Sequence, residues 1–561
     1  MLIKKLIIFS CLQASVLSSL AANPVPSDSV TGSVLSSFAA EINPMLRDYR
    51  FVQQSDPWLL HRNTSALTRY QTANIAEAEL ALSYADGHLT NFGGASKALQ
   101  VGAFVESYYR ISQRTVAYGA ISYDNWTGRN MTGSVFMTER MPFDIVEDSL
   151  TNEGKKHRDT YHLVGGFGID VWKGYSIGAR LDYTSANYAK YKDLRHKNKL
   201  MDLSFTTGVY APILSWLKAG ADYTYHRHTE SVSFNTYGKN EKVYKSLIDY
   251  GAFMGVVEQY GNDGYTDKSR EMPYFEDSHG GSLQIELTPP TSVLRTQTSH
   301  FSLFTSLGFS HGTGYYGRRS PYTIAYTCHQ RDIFNVSTRI TYANCESRHH
   351  LDIAYANEKL QNKAENFRAV NNIAGSATYE YYDPTETADN RWQQLSLDYT
   401  LHWGIRGELP TWSVTAGYHY QKRNIASYLY PYYRRQILTT HEFAGSITRN
   451  IIGDKGVWSI MLQGAFQKGS GDPYIDGTFV PLTAGQTSPA TMDAFLAQDY
   501  HLLTSPQLSV GIEGKYAFIF PGTLLRTHIL AAFQYRKANT LYNDFCGRHR
   551  TTATLAIGCT F

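Results

Sequence analysis

His226-Arg227-His228 sets two imidazoles two residues apart. On a strand that spacing puts both on one face, where they could share a metal ion. A zinc site needs three or four ligands, and no third is assignable beside this pair or beside the adjacent His349 and His350. Both pairs are read as structural or solvated histidines, and no metal or cofactor is expected. A hydrolase needs a serine and histidine with an orienting partner, or paired acids. Ser470 and Ser505 lie in a long polar stretch with nothing beside them to mark a nucleophile, and His311-Gly312-Thr313-Gly314 lacks one too. No catalytic residue is assigned, and the chain is not expected to be an enzyme; a rim enzyme is the third reading of its function.

The remaining chemistry is charge ordered by alternation. In the stretch from Tyr175 to Thr184, Tyr175, Ile177, Ala179, Leu181 and Tyr183 alternate with Ser176, Gly178, Arg180, Asp182 and Thr184. The stretches Gln394–Trp403 and Leu525–Arg536 and the tail ending at Phe561 repeat the pattern. A period of two sends the two sets to opposite faces of a strand. The inner face is assigned Glu77, Glu79, Glu106, Arg180, Asp182, Asp202, Lys218, Asp222, Asp352, Asp398, Glu513, Lys515, Arg526 and Arg536. Charges on a lipid face cost roughly 2–4 kcal/mol at the bilayer midplane, so their confinement to one side points to a membrane wall around a polar interior. Both signs are present. The interior is then either a salt-bridge network that stiffens the wall or a polar conduit.

The elements that must position these residues are strands of about ten to twelve residues, the length of a tilted crossing; soluble strands run about five or six. Only 18% of residues are charged, against a usual ~25%. The 42 tyrosines suit membrane–water interfaces and the 44 glycines suit bending strands. A net charge of +3 gives no field that would gather nucleic acid. Lys4 and Lys5 ahead of the apolar run Leu6–Leu20 read as a secretory signal peptide over residues 1–22. Cys11 sits inside that run instead of at its end, which argues against lipidation. Nothing after it approaches the ~20 apolar residues of a membrane helix.

The expected fold is all-β: a transmembrane antiparallel up-and-down barrel of about 20 strands, within a range of roughly 14–22. Residues 74–561 form it, and residues 23–73 form a periplasmic tail or a hatch in the lumen. Short connections are expected at Phe520-Pro521-Gly522, Gly453–Gly456, Gly404–Pro410, Ala211–Ser215 and Arg110–Gln113. Long external ones are expected at Lys468–Pro506, Lys422–Thr439, Arg227–Gly280 and Asn125–Thr160, with the segmentation of Thr288–Asn372 open. Cys328 and Cys345 bracket one strand and Cys546 and Cys559 another, so neither pair is expected to form a disulfide. The aromatic, basic run Tyr428–Arg435 reads as a girdle or a sugar-binding patch. Lys155–Arg158 and Arg195–Lys199 suit the phosphates of lipopolysaccharide.

The tail, with Leu555, Ile557 and terminal Phe561, resembles the closing strand that assembly machinery reads in outer-membrane barrels. The chain resembles more widely a family of uncharacterised outer-membrane barrels of Bacteroidota, the domain of unknown function 6850 type. Phe51-Val52-Gln53-Gln54-Ser55-Asp56-Pro57-Trp58, Asn63-Thr64-Ser65-Ala66-Leu67 and Phe104-Val105-Glu106-Ser107-Tyr108-Tyr109, leading into Ala117-Tyr118-Gly119 and Tyr123, carry that resemblance. It implies fold and compartment and assigns no activity. In layout the chain is also similar to fatty-acid-importing barrels, whose N-termini form a hatch. The implied protein is a monomer in a Gram-negative outer membrane, with both termini periplasmic. Its expected partners are membrane lipid and lipopolysaccharide, the barrel-assembly machinery, and a surface lipoprotein or transporter, but not nucleic acid. The leading function is passive passage or binding of a small solute, amphipathic ones included. The alternative is a non-transporting surface scaffold.

Overall fold

The computed structural model describes residues 43–147, 152–238, 241–261, 264–289, 299–320, 323–371, 377–539 and 547–561; the expected signal peptide and Cys546 lie outside them. Residues 44–70 and 74–561 form one compact body. Its strands close into an antiparallel barrel of 18, with one extra strand. The first strand, Ile75–Asp86, pairs with the second, Lys97–Arg110, and also with the last, His549–Thr560. In that seam Leu80 faces Ile557 and Leu82 faces Leu555. The backbones of Phe561 and Ala76 exchange hydrogen bonds of 2.9 and 2.8 Å beyond it.

Alternation decides what faces what. Leu555 is 60% exposed and Leu283 62%, an exposure that large apolar side chains repeat around the outside of the cylinder. That band is the lipid-facing surface of a transmembrane barrel.

The strands run from 12 residues (Ile75–Asp86) to 30 (Ala377–Arg406). About ten cross a bilayer, so the longer strands project past it, at the end opposite the termini. This corrects three expected loops, the first being Asn125–Thr160, whose ends lie in the strands Thr115–Met131 and Gly154–Trp172. Lys422–Thr439 belongs to the strands Leu409–Leu429 and Tyr432–Ile452, joined at Tyr430-Pro431. Both ends of Arg227–Gly280 lie in the strands Leu217–Asn235 and Glu271–Leu287. Outside the membrane both faces of a strand are wet. The alternation fades there while the hydrogen-bonded ladder continues. The Thr288–Asn372 region resolves into His300–Ser320, Thr323–Ala343 and Ser347–Asn371, and the total settles at 18. No disulfide joins Cys328 to Cys345.

Two accessory parts complete the body. At the terminus end, Pro44–Leu46, helix α1 (Tyr49–Gln54) and the 3-10 turn Thr64–Arg69 lie inside the wall. At the other end Asp144–Glu147, Lys245–Asp249, Met254–Gln259 and Ala490–Thr491 form a four-stranded antiparallel sheet. Helix α2 (Asp493–Thr504) packs beside that sheet through Phe495 and Leu496. The extra strand, Ile475–Thr478, continues the ladder of Tyr432–Arg435.

Candidate functional site

The N-terminal segment is a hatch seated on small residues. Gly168 faces Gly178, and Gly178 faces Gly208, in register across three strands. A Cβ at Gly178 would meet the Ser65 amide nitrogen, and the Ser65 Cα at 2.6 Å. One at Gly208 would meet the Asn63 side chain, with its Cγ at 2.7 Å. Only glycine lets the turn lie this close. Asn63 caps it by accepting from the Ser65 amide (3.2 Å) and hydroxyl (2.6 Å). Its own Nδ2 donates to Gln284 Oε1 at 2.9 Å and to the carbonyls of Val209 and Ala221.

Trp58 is the anchor. It is 1% exposed, and it stands edge-on to Tyr210 and Phe304 with ring centroids 5.1 and 5.0 Å away. Its Nε1 donates to Glu286 at 2.6 Å. Lys218 and Arg69 share that carboxylate at 3.0 and 3.3 Å, and Arg69 also reaches Asp56 at 3.1 Å. Asp48 caps α1 by accepting from the Phe51 amide. Gln53 donates to Glu106, which also accepts from Tyr118.

The opposite closure folds inward. Glu230 accepts from the amides of Met137 and Thr138 at 2.9 and 3.3 Å and from the Thr138 hydroxyl at 2.9 Å. His228 meets that hydroxyl at 3.0 Å. Arg140 pairs with Glu358 at 2.9 Å; Glu358 also pairs with Arg331, which holds Glu276 at 3.0 Å. Phe136, Phe143, Val232 and Tyr316 bury the rest of this loop. In the small sheet behind it Asp144 and Asp249 face each other across the ladder, and burial pushes each carboxyl up to about 7. Arg434, 2% exposed, ties the cap together by holding Asp476, Asp493 and the Ala252 carbonyl.

Between the closures lies a chamber of about 1210 Å³. Leu60, His61 and Arg62 of the hatch line one end; Thr138–Arg140 and Leu503 line the other. Burial holds the His61 imidazole below its usual range, and it meets the Ser306 hydroxyl at 3.0 Å. The charged lining consists of Glu139, Asp182, Asp202, Asp222, Glu276, Glu358 and Glu442 against Arg62, Arg140 and Arg331. Hydroxyls and amides of Ser204, Ser278, Ser282, Ser310, Gln394 and Gln421 fill much of the remaining wall.

Of the sequence-assigned lumen residues, the chamber gathers Asp182, Asp202 and Asp222. The others lie elsewhere on the inner wall. Arg180 donates to Asp182, and Lys218 supports Glu286. Glu106 bonds the hatch, and Arg526 donates to the Arg47 carbonyl there. Arg339 clamps Asp352, and Asp398 meets His419. Glu79 meets His528, Glu77 and Glu513 both neighbour Lys515, and Arg536 donates to Gln467. His226 and His228 both turn to Asp202, at 3.0 and 2.9 Å. Among the described residues no group of three or more His, Cys, Asp or Glu is arranged to hold a metal ion.

Sequence reasoning missed Glu276, Glu358, Arg331 and the loop pair Glu139 and Arg140. Glu276 fell in a supposed loop, and Arg331 and Glu358 in the unsegmented stretch. Nothing in the sequence marks a loop that folds inward.

The closed sheet, apolar exterior and internal hatch define the class: a transmembrane β-barrel of the outer-membrane type, closed by its own chain. Residues 64–561 match the family described as a family of unknown function, DUF6850, and the chain belongs to that family. Comparison with the curated proteins returned no match. Among solved structures it is similar in architecture to the RagAB peptide transporter, at 7% identity, 89% coverage of both chains and a TM-score of 0.40. BauA, the ferric preacinetobactin receptor from Acinetobacter baumannii, aligns at 8% identity over 87% of this chain and 81% of that one, with a TM-score of 0.41. A TodX monoaromatic hydrocarbon channel mutant aligns at 10% identity over 89% and 92%, with a TM-score of 0.28. Nothing about this chain's cargo follows from these likenesses.

Proposed function

We propose that this protein is a gated outer-membrane barrel that binds a small polar solute in its lumen and passes it passively when the hatch disengages. The chamber of about 1210 Å³ carries the reading, because the chain's own hatch and inward loop bound it and polar groups line it. Ligand pockets of about 300–1,000 Å³ hold drug-sized molecules, so there is room for a solute of a few hundred daltons. The wall is mixed, with Leu60, Tyr274, Ile333 and Leu503 among the polar groups, which suits a small polar solute, amphipathic ones included. In this reading both termini face the periplasm, lipid and lipopolysaccharide meet the outer band, and the assembly machinery reads Phe561, Ile557 and Leu555. No catalysis is involved.

The test is single-channel recording of the wild type and of Trp58→Ala in planar bilayers. The wild type should be mostly silent and Trp58→Ala should show stable openings. Silence from a folded, inserted Trp58→Ala barrel would remove the transport reading. The scaffold reading would then stand, and one observation favours it: strand Ile475–Thr478 pairs along one edge only among the described residues, beside exposed Phe479, Val480 and Leu482. A surface lipoprotein or transporter is the partner such an edge would suit.

A further inference from the structure

Resting on the chamber reading above, we propose that the solute carries an ammonium or guanidinium group, bound at Asp222 in a chamber that Asp202 and Glu442, elsewhere on its wall, keep electronegative. The chamber's charged lining sets seven carboxylates against three guanidiniums with lysine absent, and Arg180 in the wall pairs with Asp182, leaving a surplus of three negative charges. Arg331 and Arg140 are already spent on Glu276 and Glu358, and Asp182 is met by Arg180.

Asp222 is different. It accepts from the Ser282 hydroxyl at 2.5 Å and the Gln284 amide at 2.7 Å, both uncharged donors. Among the described residues no lysine or arginine stands within ion-pair distance of it. Asp202 is met by two imidazoles and Glu442 by one, His419 at 3.5 Å. Ser282 stands in register beside Asp222, and Asp222 itself lines the chamber.

Carboxylates on a low-dielectric wall around a confined space concentrate cations and repel anions, as acidic rings do in cation channels. A cationic head at Asp222 gains a charge-assisted bond, and the surrounding serines can serve the rest of a hydrophilic molecule. An anion meets the surplus, and an apolar solute leaves the carboxylates unpaired.

Two measurements test this. In Trp58→Ala pores under a potassium chloride gradient, the reversal potential should report potassium over chloride by on the order of fivefold or more. Adding Asp202→Asn, Asp222→Asn and Glu442→Gln should bring the ratio to about one. A ratio near one before neutralisation, or one that neutralisation leaves unchanged, overturns the proposal.

The second measurement needs no open pore. Thermal unfolding of wild-type protein in detergent is followed with agmatine, glucose or glutarate at equal concentration. Agmatine alone should raise the midpoint by a few degrees, and Asp222→Asn should abolish the shift. Equal shifts from the three probes, or none from agmatine, overturn the proposal. Silent Trp58→Ala barrels with an intact agmatine shift would instead remove only the transport reading, leaving a cation-binding lumen.

Discussion

Replacing Gly178 by alanine tests whether the hatch is held by close approach of two backbones. The new Cβ would lie 2.6 Å from the Ser65 Cα and 2.7 Å from the Phe167 carbonyl oxygen. Both neighbours are backbone, so no side chain can swing aside, and the turn Thr64–Arg69 must lift. Lifting it stretches the three bonds from Asn63 Nδ2 to Gln284, Val209 and Ala221, each worth about 1 kcal/mol net. The three bonds come to about 3 kcal/mol if all are lost and overpacking a fitted site spans ~1–3 kcal/mol, so a stretched seat costs about 2 kcal/mol, roughly a 30-fold rise in the released population.

Trypsin provides the assay, because Arg62 faces the chamber while the hatch is seated and is reached when it lifts, and cleavage tracks the open population when opening and closing are fast. Cleavage at Arg62 in folded, inserted protein should rise about 30-fold in Gly178→Ala. Gly165→Ala is the control: it lies on a strand neighbouring Gly178, and its Cβ would meet nothing within 4 Å. Its rate should stay within about twofold of wild type. Equal rates in the two variants would refute the seat and, with it, the idea that the glycine row exists for the hatch.

The cap should loosen as pH rises. Asp144 and Asp249 sit opposite each other with carboxyls raised from 3.8 to about 7. Their contribution is therefore fully present at acid pH below 3.8 and is lost as pH rises through about 7. Amide exchange in Lys245–Asp249 should quicken between about pH 4 and 7, beyond the intrinsic base-catalysed trend, and level off above that, and Asp249→Asn should flatten the excess; an identical profile in the variant would count against it. Arg434→Met should strand Asp476 and Asp493, whose side chains are each 50% exposed, so solvent limits the cost to about 1–2 kcal/mol. Exchange protection in α2 should fall about tenfold, and unchanged protection would show that Phe495 and Leu496 alone hold the helix.

The wall was legible from the sequence because lipid enforces it. Leu555 and Leu283 must point out, and Glu79 and Asp398 must not, so a period of two survives along each crossing. Where lipid ends the enforcement ends. Glu276, two residues from Ser278 on the same ladder, was therefore read as loop. The hatch showed itself differently. Asn63, Trp58 and Gln53 were visible as a motif, but their targets Gln284, Glu286 and Glu106 lie far along the chain, and pairing them needs the register of strands brought together only by closure. Glu139 and Arg140 were invisible for a simpler reason: an acid and a base beside each other on a polar loop describe any solvated surface.

The two closures differ in kind, and the difference bears on which one moves. The inward loop is held by Glu230 and Glu358 and also by a broad apolar contact of Phe136, Phe143, Val232 and Tyr316, and apolar burial is non-directional, so that part of the contact can slide and lose stability gradually. The hatch instead depends on aimed bonds: Asn63 to two carbonyls and an amide, Trp58 Nε1 to Glu286, Arg69 to Asp56 and Glu286. Buried partners of this sort are satisfied or costly, with little between. A turn seated on Gly168, Gly178 and Gly208 also has no neighbouring register to slip into, since moving one residue along the wall would set it against Arg180 or Thr206. The hatch therefore behaves as the two-state element. Its cleavage by trypsin should follow a single exponential in wild type and Gly178→Ala alike, differing in rate alone. A graded, multi-phase loss in the variant would mean that the hatch frays in pieces and that the gate lies elsewhere.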